Sequence, residues 1–259
     1  MSKPSAVAPP SSEFMVLLSQ LLLPPQGPTA SGNSALAATL TGMSRARFED
    51  LIALASSNHV IIRAMDVVAA MMREAGDSER ANWADEARSA ERARIDNALS
   101  FLSRICGAFE EEGLDVTVIK SLDHWPDLGS DLDLYTNTDP ARVGELMGRR
   151  FNAQLAARSW GDRLARKWNF DIPGLPEAVE IHMGRLGQTG EQVAMAASIH
   201  GRSRQVEVGG RTFRVTSISD RIMISTLQRM YRHFYFRLCD ILDSGGLVEN
   251  GIIDYDDLQ

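Results

Sequence analysis

Cysteine is nearly missing from this sequence: Cys106 and Cys239 are the two it contains. They fit neither a metal-binding spacing nor a disulfide framework. Both read as small buried residues of a cytoplasmic protein. Also missing is any apolar run approaching the roughly 20 residues of a membrane span, so no membrane partner is expected. The first residues, MSKPSAVAPPSS, lack the apolar stretch and cleavage pattern of a secretory signal, and residues 1–10 read as a disordered leader. An excess of positive charge is missing too. The net charge of −7 argues against a general nucleic-acid binder and against duplex DNA in particular. What is present is an ordinary globular composition, 44% hydrophobic and 24% charged over 259 residues. That is enough chain for one large domain or two smaller ones.

The charge is unevenly distributed. Residues 141–170 hold seven basic side chains (Arg142, Arg149, Arg150, Arg158, Arg163, Arg166, Lys167) against Glu145 and Asp162. Residues 201–237 hold eight arginines against Glu207 and Asp220. A basic middle inside an acidic chain suits a phosphate-bearing ligand. The competing explanation is a set of solvated helix faces.

Residues 11–113 read as a helical region. SSEFMVLLSQLLL is a short apolar helix that stops at Pro24-Pro25, and residues 26–33 read as a Pro/Gly-rich loop. Residues 44–57 and 58–76 carry apolar residues at helical spacing. A long charged helix follows over 77–113, with Ile95, Leu99, Leu102 and Ile105 as its apolar stripe and Gly113 as its stop. The texture changes at residue 114. Strands are expected at 114–119 and 130–136, then a helix opened by Asp139-Pro140. Three further strand candidates are 151–157, 166–172 and 177–183. Residues 191–201 read as a helix. RQVEV-GG-RTFRV reads as a hairpin, because Gly209-Gly210 can supply positive φ. Residues 217–259 form a C-terminal helical region whose acidic ending reads as a connection within a longer protein.

The informative piece is Gly129-Ser130-Asp131-Leu132-Asp133-Leu134. On a strand Asp131 and Asp133 share one face, about 7 Å apart, while the two leucines share the other. Two such carboxylates can converge on a hard cation such as Mg²⁺, whose remaining positions are filled by water and substrate phosphates. Two ions so held can stabilise both oxygens of an in-line phosphoryl displacement. An exposed edge strand with two solvated aspartates is the alternative, although aspartate is depleted in strands.

Residues 118–135, VIKSLDHWPDLGSDLDLY, resemble the signature of the DNA polymerase beta-like nucleotidyltransferase superfamily. There a Gly-Gly or Gly-Ser pair follows the first strand and a D-x-D or D-x-E strand comes nine to thirteen residues later. The chain is also similar to a branch of uncharacterised bacterial nucleotidyltransferases with Lys-Gly, Asp-x-Asp and Glu-x-His motifs, the last matched by Glu180-Ile181-His182. The resemblance covers about residues 114–247. It departs at Lys120-Ser121, which holds no glycine.

The resemblance implies an α+β fold: a nucleotidyltransferase-like mixed β-sheet core over 114–216, flanked by the helical regions 11–113 and 217–259. It implies that Asp131 and Asp133 bind Mg²⁺ or Mn²⁺, and that Glu180 completes the site and serves as general base. Lys120, Ser121, Gly129 and Ser130 would contact the nucleoside triphosphate, with ATP the expected nucleotide. The reaction implied is transfer of a nucleoside monophosphate to an acceptor (small molecule, protein or RNA end), releasing pyrophosphate. The enzyme's part in such chemistry is positioning and charge neutralisation.

Some alternatives stay open. Asp171 is the rival third acid. His182 reads as a core histidine or as a group orienting a metal carboxylate. Arg232, His233 and Arg237 are weaker candidates for phosphate or acceptor contacts, and Tyr231, Phe234, Tyr235 and Phe236 read as packing residues. The whole chain is either an active transferase or a binding module that kept the fold and lost turnover. A third possibility is a helical regulator that dimerises through residues 77–112. Monomer and dimer are both compatible with the sequence.

Overall fold

The computed structural model describes residues 12–23, 30–187, 192–230, 235–256 and 258. The expected leader, Pro24-Pro25, Tyr231, Arg232, His233 and Phe234 lie outside the described residues. The chain divides into two compact units. One comprises residues 1–92 with 237–242, the other 93–236 with 243–259.

The first unit is helical. It contains α1 (Ser12–Leu22), α2 (Ala30–Thr41), α3 (Arg45–Ser57), α4 (Ile61–Glu74) and the first turns of α5 (Ser78–Glu111). Ser44 caps α3 by accepting from the Arg47 N–H, supplying one of the partners a helix start lacks. Phe14, Leu18, Leu40, Phe48, Met65 and Met72 are among the side chains of its core. Residues 30–33 correct the sequence expectation of a loop, for they open α2. Gly32 and Asn33 suggested a break, but the alanines that follow have the highest helix propensity and carry the turn through.

The second unit is α+β, with a seven-stranded mixed sheet in the order β3-β4-β5-β2-β1-β7-β6. The strands are β1 (Thr117–Val118), β2 (Asp131–Thr136), β3 (Gln154–Leu155), β4 (Lys167–Asp171), β5 (Ala178–Met183), β6 (Arg204–Val208) and β7 (Arg211–Val215). The helices are α6 (Pro140–Phe151), α7 (Trp160–Leu164), α8 (Gln192–Arg202), α9 (Ile218–Gln228) and most of α10 (Leu238–Glu249), beside the later turns of α5. β2 pairs in parallel with β5, and β4 pairs antiparallel with β5.

One face of the sheet is apolar where β2 and β5 meet. Leu132, Leu134, Val179 and Ile181 are fully buried there. On that side Gly144 lets α6 approach Trp168, whose ring would lie 3.0 Å from an added Cβ. The stripe Ile95, Leu99, Leu102 and Ile105 of α5 is buried as expected. On the opposite face Tyr135 packs with Ile119, Ala196, Ile199 and Ile224, so α8 and α9 cover the Tyr135 end. The other end of that face carries Asp131 and Asp133.

Three elements differ from expectation. The strand anticipated over 151–157 shrinks to Gln154–Leu155, because α6 runs to Phe151 and Asn152 caps it at φ 51°, a left-handed conformation that asparagine tolerates. The strand expected over 114–119 is confined to Thr117–Val118. The short helix α7 was not anticipated. Its signal was the capping box of Ser159 and Asp162, both halves of which are formed.

The hairpin between β6 and β7 turns on Gly209 and Gly210, at φ 57° and 70°. A Cβ at Gly209 would come 2.8 Å from Leu99 Cδ1, whereas one at Gly210 meets nothing within 4 Å. Gly209→Val is expected to cost about 2–3 kcal/mol, from backbone strain and overpacking together. Gly210→Ala should cost only the strain, about 1 kcal/mol. Urea denaturation of the two variants checks this, and equal costs would show that Leu99 yields freely.

Among the described residues no helix is long and apolar enough to cross a membrane.

Candidate active site

The register brings the site together. Asp133 pairs with Glu180 across β2 and β5, Asp131 with Ala178, and Tyr135 with His182. Residues paired this way point to the same side of a sheet. Asp131, Asp133, Glu180 and His182 therefore share one face. β4 extends it, since Asn169 pairs with Glu180 and Lys167 with His182. Asp133, Glu180, His182 and Lys167 are all buried, while Asp131 is half-buried.

Each of the two buried carboxylates is met by a lysine. Lys120 makes an ion pair with Asp133 Oδ1, without a hydrogen bond aligned on that oxygen. Lys167 Nζ donates to Glu180 Oε1 at 2.8 Å and lies 3.2 Å from Asp162 Oδ1. Burial alone would raise the Asp133 carboxyl, but the charge of Lys120 and the adjacent His182 outweigh it and hold it below the usual range. Asp131 goes the other way. Burial pushes it up, the charges of Glu180 and Asp133 add to the push, and the Ser130 hydrogen bond and Lys120 oppose it. Neighbouring aspartates shifted in opposite directions are a feature that functional sites share with structural ion-pair networks.

His182 is 5% exposed, and its Nε2 lies 3.5 Å from Asp133 Oδ1. Neither ring nitrogen has a hydrogen-bond partner among the described residues, nor does Asp133 Oδ1 or Asn169 Oδ1. Burial lowers the ring's proton affinity, with Asp133 opposing the shift, which favours neutral imidazole. His182 Nδ1, His182 Nε2 and Asn169 Oδ1 are buried on one face without aligned hydrogen bonds, a costly arrangement, whereas Asp133 Oδ1 is met by the Lys120 ammonium. One donor atom each from Asp133, Glu180 and His182 lie within 4.8 Å of one another. This donor set and these orphaned atoms fit a divalent cation.

The residues expected to meet a nucleotide fall into two groups. Lys120 adopts φ 60°, the left-handed conformation that glycine takes most cheaply. Lys120-Ser121 thus makes this bend without a glycine. Ser121 is buried, with its hydroxyl accepting from the Asp133 N–H at 2.6 Å and its own N–H donating to the Ile119 carbonyl at 2.6 Å. The hydroxyl thus seats β2, and the N–H closes the turn at Lys120. Ser130 is exposed and its hydroxyl donates to Asp131 Oδ2 at 3.3 Å. Gly129 offers its carbonyl to Arg94 at 3.3 Å.

Asp171 is exposed at the end of β4 and pairs with Gln154. The basic stretches are largely occupied. Arg149 and Arg150 pair with Glu112 and Glu111, and Arg158 stacks over Trp168. Arg202, Arg211 and Arg221 pair with Asp220, Asp96 and Asp123. Arg237 contacts His59 Nε2 at 2.6 Å.

Sequence reasoning missed two residues. Lys167 sits in a strand whose polar positions 167, 169 and 171 alternate, and that alternation was the available signal. Arg94 pairs with Glu177 and donates to the carbonyls of Leu128 and Gly129. Nothing local distinguishes it from the other arginines of α5.

No protein-family model matches the chain, and no curated protein matches it. Among solved structures the chain is similar to the antibiotic-resistance factor ANT(2'')-Ia, with 13% identity over 61% of this chain and 85% of that one and a TM-score of 0.39.

Proposed function

We propose that this chain is a divalent-cation-dependent nucleotidyltransferase. It would move a nucleoside monophosphate from a nucleoside triphosphate to an acceptor hydroxyl and release pyrophosphate. The observation that carries this is the placing of Asp131, Asp133 and Glu180 on one sheet face beside buried polar atoms that lack partners. Residues 114–216 form the catalytic core in this proposal, and ATP is the first nucleotide to try.

Asp131, Asp133 and Glu180 would hold Mg²⁺ or Mn²⁺, and the bound ion would neutralise charge on the triphosphate. The chain's own residues supply the rest. Ser121 fixes the backbone of Asp133, and Lys167 fixes Glu180. Lys120 offers positive charge to the phosphates. Ser130 and the Gly129 backbone lie at the exposed lip where a triphosphate would enter. Glu180 takes the proton of the acceptor hydroxyl as its oxygen bonds to the α-phosphorus and the bond to the pyrophosphate oxygen breaks. The acceptor is a small molecule, a protein side chain or an RNA end.

A second reading has its own support. Lys120 and Lys167 already neutralise Asp133 and Glu180, which suits a nucleotide-binding module without turnover. Calorimetric titration with ATP, GTP, CTP and UTP, with and without Mg²⁺, separates the two when followed by pyrophosphate release. The transferase binds a nucleotide only with the cation and loses it in Asp131→Ala/Asp133→Ala. Binding that needs neither cation nor aspartates, with no pyrophosphate, makes the chain a binding module.

A further inference from the structure

The metal-binding reading of the two aspartates leaves His182 without a task, although its ring is buried against Asp133 with no aligned hydrogen bond among the described residues. We propose that the cation site of this chain is Asp133, Glu180 and His182, a mixed carboxylate–imidazole set that takes one transition-metal ion of the Mn²⁺, Co²⁺ or Zn²⁺ class in preference to Mg²⁺. The inference rests on the cation site of the proposed function and revises its ligands, with His182 taking the place of Asp131.

The distances suit a shared ion. Ligands bonded to one cation at about 2.1 Å stand about 3–3.4 Å apart in octahedral or tetrahedral arrangements. His182 Nε2 and Asp133 Oδ1 stand 3.5 Å apart, and the three donor atoms span no more than 4.8 Å. A direct hydrogen bond from the ring to Asp133 would be the ordinary way to satisfy the ring, yet none is aligned, and Asp133 Oδ1 rests against the Lys120 ammonium instead. A cation between them satisfies the nitrogen lone pair and the carboxylate oxygen together.

The donor chemistry selects the metal. Mg²⁺ takes oxygen ligands and keeps much of its water. Imidazole beside carboxylate suits Mn²⁺, Co²⁺ and Zn²⁺. Charge sets the number of ions. Asp131, Asp133, Glu180 and Asp162 set four carboxylates against the two lysine ammoniums, leaving a charge of about −2 that one divalent cation neutralises. A second would have to enter beside two fixed ammoniums. Asp131, more exposed and outside the group of three, is left facing the side from which a nucleotide would approach.

The test is a Co²⁺ titration of the full chain without nucleotide, followed by visible absorption and calorimetry. The expected result is one Co²⁺ per chain, an absorption band, displacement by Zn²⁺, and binding about 100-fold tighter than Mg²⁺. His182→Gln should weaken Co²⁺ by at least about 100-fold, a ligand counting for more than the 10–100-fold of an outer partner. In the unaltered protein Co²⁺ should shift the ring resonances of His182 far outside the diamagnetic range, so the assignment survives if the variant misfolds. Co²⁺ held equally well by His182→Gln but lost in Asp133→Asn would overturn imidazole ligation and leave the cation site standing. Two ions per chain, or Mg²⁺ as tight as Co²⁺, would overturn the metal assignment alone. A protein that binds neither metal, with or without nucleotide, loses both the inference and the transferase reading.

Discussion

Replacing Lys167 by methionine is expected to remove about 3–5 kcal/mol of unfolding free energy, the range for breaking a buried ion pair from one side. The lysine side chain is 3% exposed and its ammonium lies between Glu180 and Asp162. Methionine fills the space of the stem and removes the charge. Glu180, itself buried, is then left as a desolvated carboxylate beside Asp131 and Asp133. Urea denaturation at neutral pH in the presence of a chelator measures the loss. The double variant Lys167→Met/Glu180→Leu should recover most of it, since replacing a whole buried pair by apolar groups is often close to neutral. A single-variant loss below about 1 kcal/mol would show that Glu180 finds water in place of the ammonium, and that the pair is not closed to solvent.

Glu180→Gln is expected to lower cation-dependent pyrophosphate release by about 10²–10⁴-fold, the usual contribution of a positioned acid or base. The variant should fold. The amide oxygen can still accept from Lys167, and Asp162 still balances the ammonium at 3.2 Å. Nucleotide binding should fall far less than turnover, because Asp131 and Asp133 remain. Single-turnover measurement with labelled nucleotide separates the two effects. Full activity in this variant would move the third acid to Asp171, exposed on β4.

The parts of the fold that were legible in the sequence were those set by local periodicity. Asp131-Leu132-Asp133-Leu134 alternates, so its two faces could be read, and the structure places the leucines in the core. The same holds for Val179 and Ile181 around Glu180. The Gly209-Gly210 turn and the Asp139-Pro140 helix start were legible because their backbone chemistry is specific. What could not be read depends on pairing between distant segments. The placing of β4 beside β5, which brings Lys167 to Glu180, is a matter of strand order, and no local pattern encodes that order. Lys120 was legible as a departure from a glycine pattern. That a lysine would take the left-handed bend and pair with Asp133 across the β1–β2 connection has no local signal.

Arg94 has a consequence for how the site moves. Its guanidinium bonds to the carbonyls of Leu128 and Gly129, just ahead of β2, and to Glu177, just ahead of β5. The two strands that carry the acids thus start from one common rivet on α5. Fluctuations that shift either strand along its length must carry the other with it. Beside the ladder that joins β2 to β5, Arg94 is a second tie on the spacing of Asp133 and Glu180.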